Sequence, residues 1–104
     1  AGAVTTSNVD IIDVAADKTR KINSILVANV DGTNSATVSV SVSVDNGSNF
    51  YHLAKTVAVP ADSTLVVIDK NSQIFLDETD LLRIVGSANN DLEYVVSGEI
   101  LDDA

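Results

Sequence analysis

The chain has 104 residues and a formal net charge of −9 at pH 7. A chain of this length forms one domain, since a single hydrophobic core typically organises about 100–150 residues. The absence of cysteine excludes disulfides, thiolate metal sites and cysteine nucleophiles, and the acidic balance predicts that neither nucleic acid nor an anionic membrane is a partner.

Residue usage predicts an all-β fold. The sequence contains 16 Val, 8 Ile and 8 Thr, and β-branched side chains suit half-buried pleated surfaces better than helices. Apolar runs such as 25–28 and 65–68 are much shorter than the roughly 18–20 residues of a membrane-spanning helix. We expect a single antiparallel β-sandwich, jelly-roll or immunoglobulin-like, at residues 9–101. A flexible N-terminal arm is expected at 1–8 and an acidic C-terminal tail at 102–104.

Short apolar segments separated by turn signals predict about eight strands. The predicted strands, in chain order, are 9–15, 20–31, 36–45, 50–59, 64–69, 74–76, 81–88 and 92–101. The clearest is 36–45, where Val and Ser alternate with the period of a strand that buries one face. Turn motifs at 31–34 and 45–48 flank this strand, so both neighbouring strands are expected to pair with it. The last two strands are expected to form a hairpin.

The predicted strand 20–31 carries apolar residues on both faces. In simple alternation, Ile22 and Leu26 lie on one face, and Ile25 and Val27 lie on the other. Such a strand is either central in a sheet whose outer face is covered, or it presents Ile25 and Val27 to a partner subunit. The alternation alone allows both.

Few groups in the sequence suit catalysis. His52 is the only imidazole, and no serine lies in a Gly-x-Ser-x-Gly nucleophile elbow. Calcium-type oxygen ligands occur in two clusters, Asp77, Glu78 and Asp80, and Asp45, Asn46, Ser48 and Asn49. Neither cluster has EF-hand spacing, and Asp and Asn are also ordinary turn residues. We predict a protein that is not an enzyme and has no cofactor, and the sequence leaves a calcium ion in these turns open.

Four turn motifs, at 28–34, 59–65, 77–84 and 88–93, carry a family resemblance. Together they resemble a pattern of small β-sandwich virion structural proteins of tailed phages, especially marine ones. One motif departs from that pattern, with Asp-Glu-Thr-Asp at 77–80 where Glu-Gly-Asp is usual. The resemblance implies a component of the phage particle, without assigning it to the head, the neck or the tail.

From the resemblance and the lack of reactive groups we expect a capsid decoration or cement protein. It would be located in the virion, bind the major capsid protein of the assembled head, stabilise capsomer joints and associate with copies of itself. The alternatives are a tail, neck or fibre component, or a receptor- or carbohydrate-binding module. The residues expected at the partner interface are Val4, Thr5, Thr6, Ser7, Asn8, Lys18, Arg20, Lys21, Ile25 and Val27.

Overall fold

The computed structural model describes residues 1–69, 71 and 73–102, and these residues form nine β-strands and no helix. The strands are β1 (Gly2–Ala3), β2 (Val9–Asp13), β3 (Lys18–Asn29), β4 (Ala36–Ser43), β5 (Tyr51–Val59), β6 (Thr64–Ile68), β7 (Ile74–Leu76), β8 (Leu81–Gly86) and β9 (Leu92–Asp102). Within this part of the chain there is accordingly no helix that could cross a membrane.

The strands form two antiparallel sheets that pack face to face. Sheet A has the order β1-β9-β3-β6, with β7 also paired to β3, and sheet B has the order β2-β8-β4-β5. The pairs are nested along the chain, because β4 pairs with β5, β3 with β6 and β7, β2 with β8, and β1 with β9. Nested antiparallel pairs shared between two sheets form a jelly roll. The predicted all-β sandwich is confirmed, and its strand order is that of the jelly roll.

Between the sheets lies a core built from aliphatic side chains. Its largest fully buried members are Ile22, Ile25, Leu82, Ile84, Leu92, Val4, Val27, Val38, Val40 and Val59. Burying one such side chain stabilises the fold by about 1.5–3 kcal/mol. Packing of these residues therefore holds the sandwich together without a disulfide.

All eight predicted strands are present, and their ends differ from the prediction by at most two residues. The pairing of β4 with β5 is confirmed, but two other predicted pairings are wrong. Strands β3 and β4 lie in different sheets, and so do β8 and β9. Turn residues at 31–34 and 89–91 let the chain reverse, but they do not determine whether it returns to the same sheet or crosses to the other.

An extra residue in β3 decides which of its side chains face the core. Ile22 pairs with Gly98, whereas Ser24 pairs with the adjacent Ser97, so Asn23 forms a β-bulge. The bulge reverses the alternation, and Ile25 and Val27 are both 0% exposed. The expectation that these two side chains face outward is therefore wrong, since simple alternation does not account for a bulge.

Residues 2–5 of the N-terminal segment are hydrogen-bonded to the sandwich. The Val4 N–H donates to the Leu92 carbonyl at 2.9 Å, and the Gly86 N–H donates to the Thr5 carbonyl at 2.8 Å. Val4 itself is 0% exposed. Residues 2–5 thus run from β9 of sheet A to β8 of sheet B, with the Val4 side chain in the core.

At the other terminus, Asp102, the first residue of the predicted acidic tail, is the last residue of β9. Residues 103–104 of the predicted acidic tail lie outside the described residues.

Asn29 joins three segments where the chain leaves sheet A. It is 3% exposed, and its Nδ2 donates to the carbonyls of Asn34 at 3.0 Å and Val59 at 2.9 Å. Its Oδ1 accepts from the Asp31 N–H at 2.9 Å, and its own N–H donates to the Ser63 carbonyl at 2.8 Å. One buried amide therefore fixes the crossover between the sheets and the end of β5.

The Asn29→Ala variant should lose about 2–4 kcal/mol of unfolding free energy, because two carbonyls and one N–H lose their partner. Urea denaturation followed by circular dichroism measures this loss. Asn34→Ala is the matched control, since the exposed Asn34 side chain can be removed while its carbonyl remains. Equal losses in the two variants would contradict the role assigned to the buried amide.

Gly98, opposite the β3 bulge, should not tolerate a side chain. A Cβ there would collide with the carbonyl oxygen of Lys21, so Gly98→Ala should cost about 2–4 kcal/mol in thermal or urea unfolding. Gly32→Ala is the control, because a Cβ at Gly32 would come no closer than 3.6 Å to the Asp62 carboxylate. We expect the control to stay within about 1 kcal/mol of the wild type.

Candidate functional site

The outer face of sheet B is partly covered by the chain's own segment between β4 and β5. Ser43 is 0% exposed, and its hydroxyl donates to Asp45 Oδ1 and accepts from the Gly47 N–H, both at 2.8 Å. The Asp45 carboxylate also accepts from the Asn49 side chain at 2.8 Å and the Asn49 backbone at 2.9 Å. These bonds fold residues 44–50 back against the end of the sheet.

Arg83 links three segments on the same outer face. Its Nε donates to Asp10 Oδ1 at 2.8 Å in an ion pair between β8 and β2. Its guanidinium carbon lies 3.8 Å from the centroid of the Phe50 ring, in a cation–π contact. The apolar ring just before β5 therefore has a partner within the chain.

The outer face of sheet A, in contrast, carries an uncovered apolar row. Leu26 on β3 pairs with Val66 on β6 and with Val95 on β9, and residues directly opposite one another lie on the same face of a sheet. Val66 is 52% exposed and Val95 is 50% exposed. We call Leu26, Val66 and Val95 the apolar row.

Polar residues lie next to the apolar row. On one side, the hydroxyls of Ser24 and Ser97 are 2.5 Å apart. On the other, Ala28 pairs with both Thr64 and Glu93. An apolar centre with a polar border is the usual composition of a protein-binding surface.

The residues predicted at the interface do not come together in the structure. Val4, Ile25 and Val27 are in the core, and their side chains are not accessible to a partner. Thr5 and Thr6 bond to residues 86 and 89, and Ser7 and Asn8 lead from there to β2 of sheet B. Lys18, Arg20 and Lys21 instead pair with the far end of β9, at 99–102. At a rise of about 3.3 Å per residue, Val4 and Lys21 are about 23 Å apart along the sheet.

In the acidic turn at 77–80, carboxylates accept hydrogen bonds from backbone N–H groups. Asp80 Oδ2 accepts from the Asp77 N–H at 2.8 Å, and Glu78 Oε2 accepts from the Asp17 N–H at 3.0 Å. Within the residues that the structure describes, no three His, Cys, Asp or Glu side chains are grouped to hold a metal ion. His52 is exposed on the edge strand β5.

Sequence reasoning missed the apolar row. The sequence carries part of the signal, because the strand 20–31 has apolar residues on both faces. The bulge at Asn23 reverses the alternation that follows it, so Leu26 faces outward and Ile25 and Val27 face the core. Val66 lies in a run without alternation, Leu65 to Ile68, so no period-two pattern marks its orientation.

No family model, curated protein or solved structure matches this chain.

The 44–50 segment should weaken in acid. Hydrogen bonds from the Asn49 side chain and backbone, and from the Ser43 hydroxyl, lower the pKa of Asp45 below the ordinary aspartate value. A lowered folded-state pKa contributes stability above the unfolded-state pKa, and this contribution is lost as the pH falls through the folded-state pKa.

We therefore expect Asp45→Asn to be less stable than the wild type at neutral pH, with the difference shrinking below about pH 4. Urea midpoints measured from pH 7 to pH 2.5 give the comparison. A difference that stays constant across this range would show that the carboxylate charge does not support the segment.

Proposed function

We propose that this chain is a structural protein of a phage particle, a decoration protein that binds the assembled head over joints between major capsid protein subunits. It acts by adhesion and makes or breaks no covalent bond. The apolar row of sheet A is the surface that contacts the shell.

The observation that carries this proposal is the difference between the two outer faces. On sheet B, Phe50 is held against Arg83 by the chain itself. On sheet A, Val66 and Val95 remain about half exposed beside Leu26, across three adjacent strands. A continuous exposed apolar row with polar neighbours is typical of a surface that binds another macromolecule.

The resemblance of the turn motifs to small virion proteins of tailed phages supports the class of partner. A shell is a symmetric lattice, so one small patch is repeated at every equivalent joint. A protein that binds only the assembled shell stabilises it by mass action, because its binding free energy is lost when the shell comes apart. Many weak contacts of this kind add up over the particle.

Cosedimentation tests the proposal. Heads of the encoding phage, assembled without this chain, should bind it saturably, whereas unassembled capsid protein should bind it poorly. The double variant Val66→Lys with Val95→Lys should bind about ten- to a hundredfold more weakly, because two apolar contacts of about 1 kcal/mol each are replaced by charges. Both positions are exposed, so circular dichroism should show an unchanged fold.

Tyr51→Lys is the matched control, since Tyr51 is 61% exposed on sheet B, and it should bind heads like the wild type. Binding to isolated tails instead of heads would indicate that the chain is a tail or neck component and not a decoration protein. Binding to a glycan array that disappears in a Tyr51→Ala variant would favour a carbohydrate-binding module. Either outcome overturns the proposed function.

A further inference from the structure

Among the residues that the structure describes, no strand covers one side of β9 along most of its length. The strand runs from Leu92 to Asp102, and β3 pairs with it along its whole length. On the other side β1 pairs only with Glu93 and Tyr94. From residue 96 onward, the structure describes no strand on this side, and the residues from Ser97 to Leu101 are exposed.

The backbone groups that face this open side can be identified. The backbone N–H and C=O groups of successive residues point to opposite sides of a strand, so those of every second residue point to the same side. The Leu92 carbonyl accepts from Val4 on the β1 side, and the Asp91 carbonyl accepts from Val30 at 2.8 Å on the β3 side. The N–H and carbonyl groups of Val96, Gly98 and Ile100 therefore point away from β3, toward the open edge.

Exposed apolar side chains accompany this edge. Ile100 is 62% exposed and Leu101 is 38% exposed. An exposed edge strand with apolar residues is a template for pairing with another strand, unless it is short, bulged or protected by charge. The register between β3 and β9 places its extra residue in β3, so β9 itself is regular here.

We propose that two copies of this chain pair through the open edges of β9, antiparallel, across a two-fold axis at Gly98. In this register Val96 of one copy lies opposite Ile100 of the other, and Ser97 lies opposite Glu99. The pairs at Val96, Gly98 and Ile100 form about six backbone hydrogen bonds. Sheet A becomes continuous across the dimer.

The residues along the edge select this register. Registers in which at least two of Val96, Gly98 and Ile100 pair with one another have their axis at Ser97, Gly98 or Glu99. An axis at Glu99 places two like charges directly opposite each other, which is destabilising. An axis at Ser97 runs the second copy into the place of Gly2, which already pairs with Tyr94.

The Gly98 register avoids both problems and matches apolar with apolar residues. Val96 packs partly against the core, and Ile100, four residues further along a regular strand, lies on the same face. Pairing them across the axis buries Ile100, which is largely exposed in the single chain. Pairing ends at Ile100, because Ala1 adjoins β1 at the position opposite Val95.

This dimer is separate from the proposed function, because the open edge of β9 and the apolar row are different surfaces. The single variant Val66→Lys alters the apolar row on β6 and should leave the dimer intact, and a variant that breaks the dimer should leave the apolar row intact. Failure of one proposal is therefore distinguishable from failure of the other.

Sedimentation velocity of the full chain at increasing concentration gives the first test. We expect a monomer–dimer equilibrium in the wild type and at least a tenfold weaker association for Ile100→Lys, which places a charge against Val96 of the second copy. Val66→Lys carries the same added charge at an exposed site on β6 and should dimerise like the wild type. A wild type that stays monomeric, or an Ile100→Lys variant that dimerises equally, would overturn the proposal.

Disulfide trapping tests the register. The natural chain has no cysteine, so a Ser97→Cys, Glu99→Cys double variant should form a covalent dimer on mild oxidation. The two positions face each other as a non-hydrogen-bonded pair, whose Cβ separation is close to that of a disulfide. In the matched control, Ser97→Cys with Leu101→Cys, the cysteines of the two copies face each other only if the axis lies at Ser97 or Glu99. Equal or faster trapping of the control would overturn the Gly98 register.

Discussion

The bulge at Asn23 in the longest strand is the constraint on which the rest of the molecule depends. It shifts the alternation of β3 by one residue, so that Ile25 and Val27 enter the core and Leu26 faces outward. Strand β3 lies in sheet A with β9 on one side and β6 and β7 on the other. This one residue therefore determines which side chains of a central strand face the core and which face outward. The bulge also explains Gly98, since the neighbouring Lys21 carbonyl occupies the space of a side chain.

The two sheets differ in their edge strands and in how far their outer faces are covered. The bulged edge strand β5 of sheet B offers an irregular ladder, whereas β9 is regular and open along much of one side. Segment 44–50 folds against sheet B, and no comparable segment covers the apolar row of sheet A among the described residues. The exposed apolar row and the open edge of β9 thus both belong to sheet A.

Polar residues in this chain stabilise turns and crossovers. Among the described residues, every buried side-chain nitrogen or oxygen has a hydrogen-bond partner. The Asn29 amide bonds three backbone groups at once, two in the connection between β3 and β4 and one at the end of β5. Asp31 and Asp45 accept several hydrogen bonds each within their turns, and these bonds lower the pKa of both carboxyl groups. Much of the acidic and amide content of the sequence therefore serves turn geometry.

The sequence by itself determined the fold class, the presence of eight strands and the turns between them, because β-branched residues, alternation and turn residues act locally. It did not determine the short strand β1, the sheet to which each strand belongs or the orientation of Leu26, Ile25 and Val27. Those features follow from long-range pairing, in which one unpaired residue at Asn23 exchanges the two faces of a strand. The apolar row was decided only by the tertiary structure, because its three residues come from strands that are far apart in sequence and adjacent in the sheet.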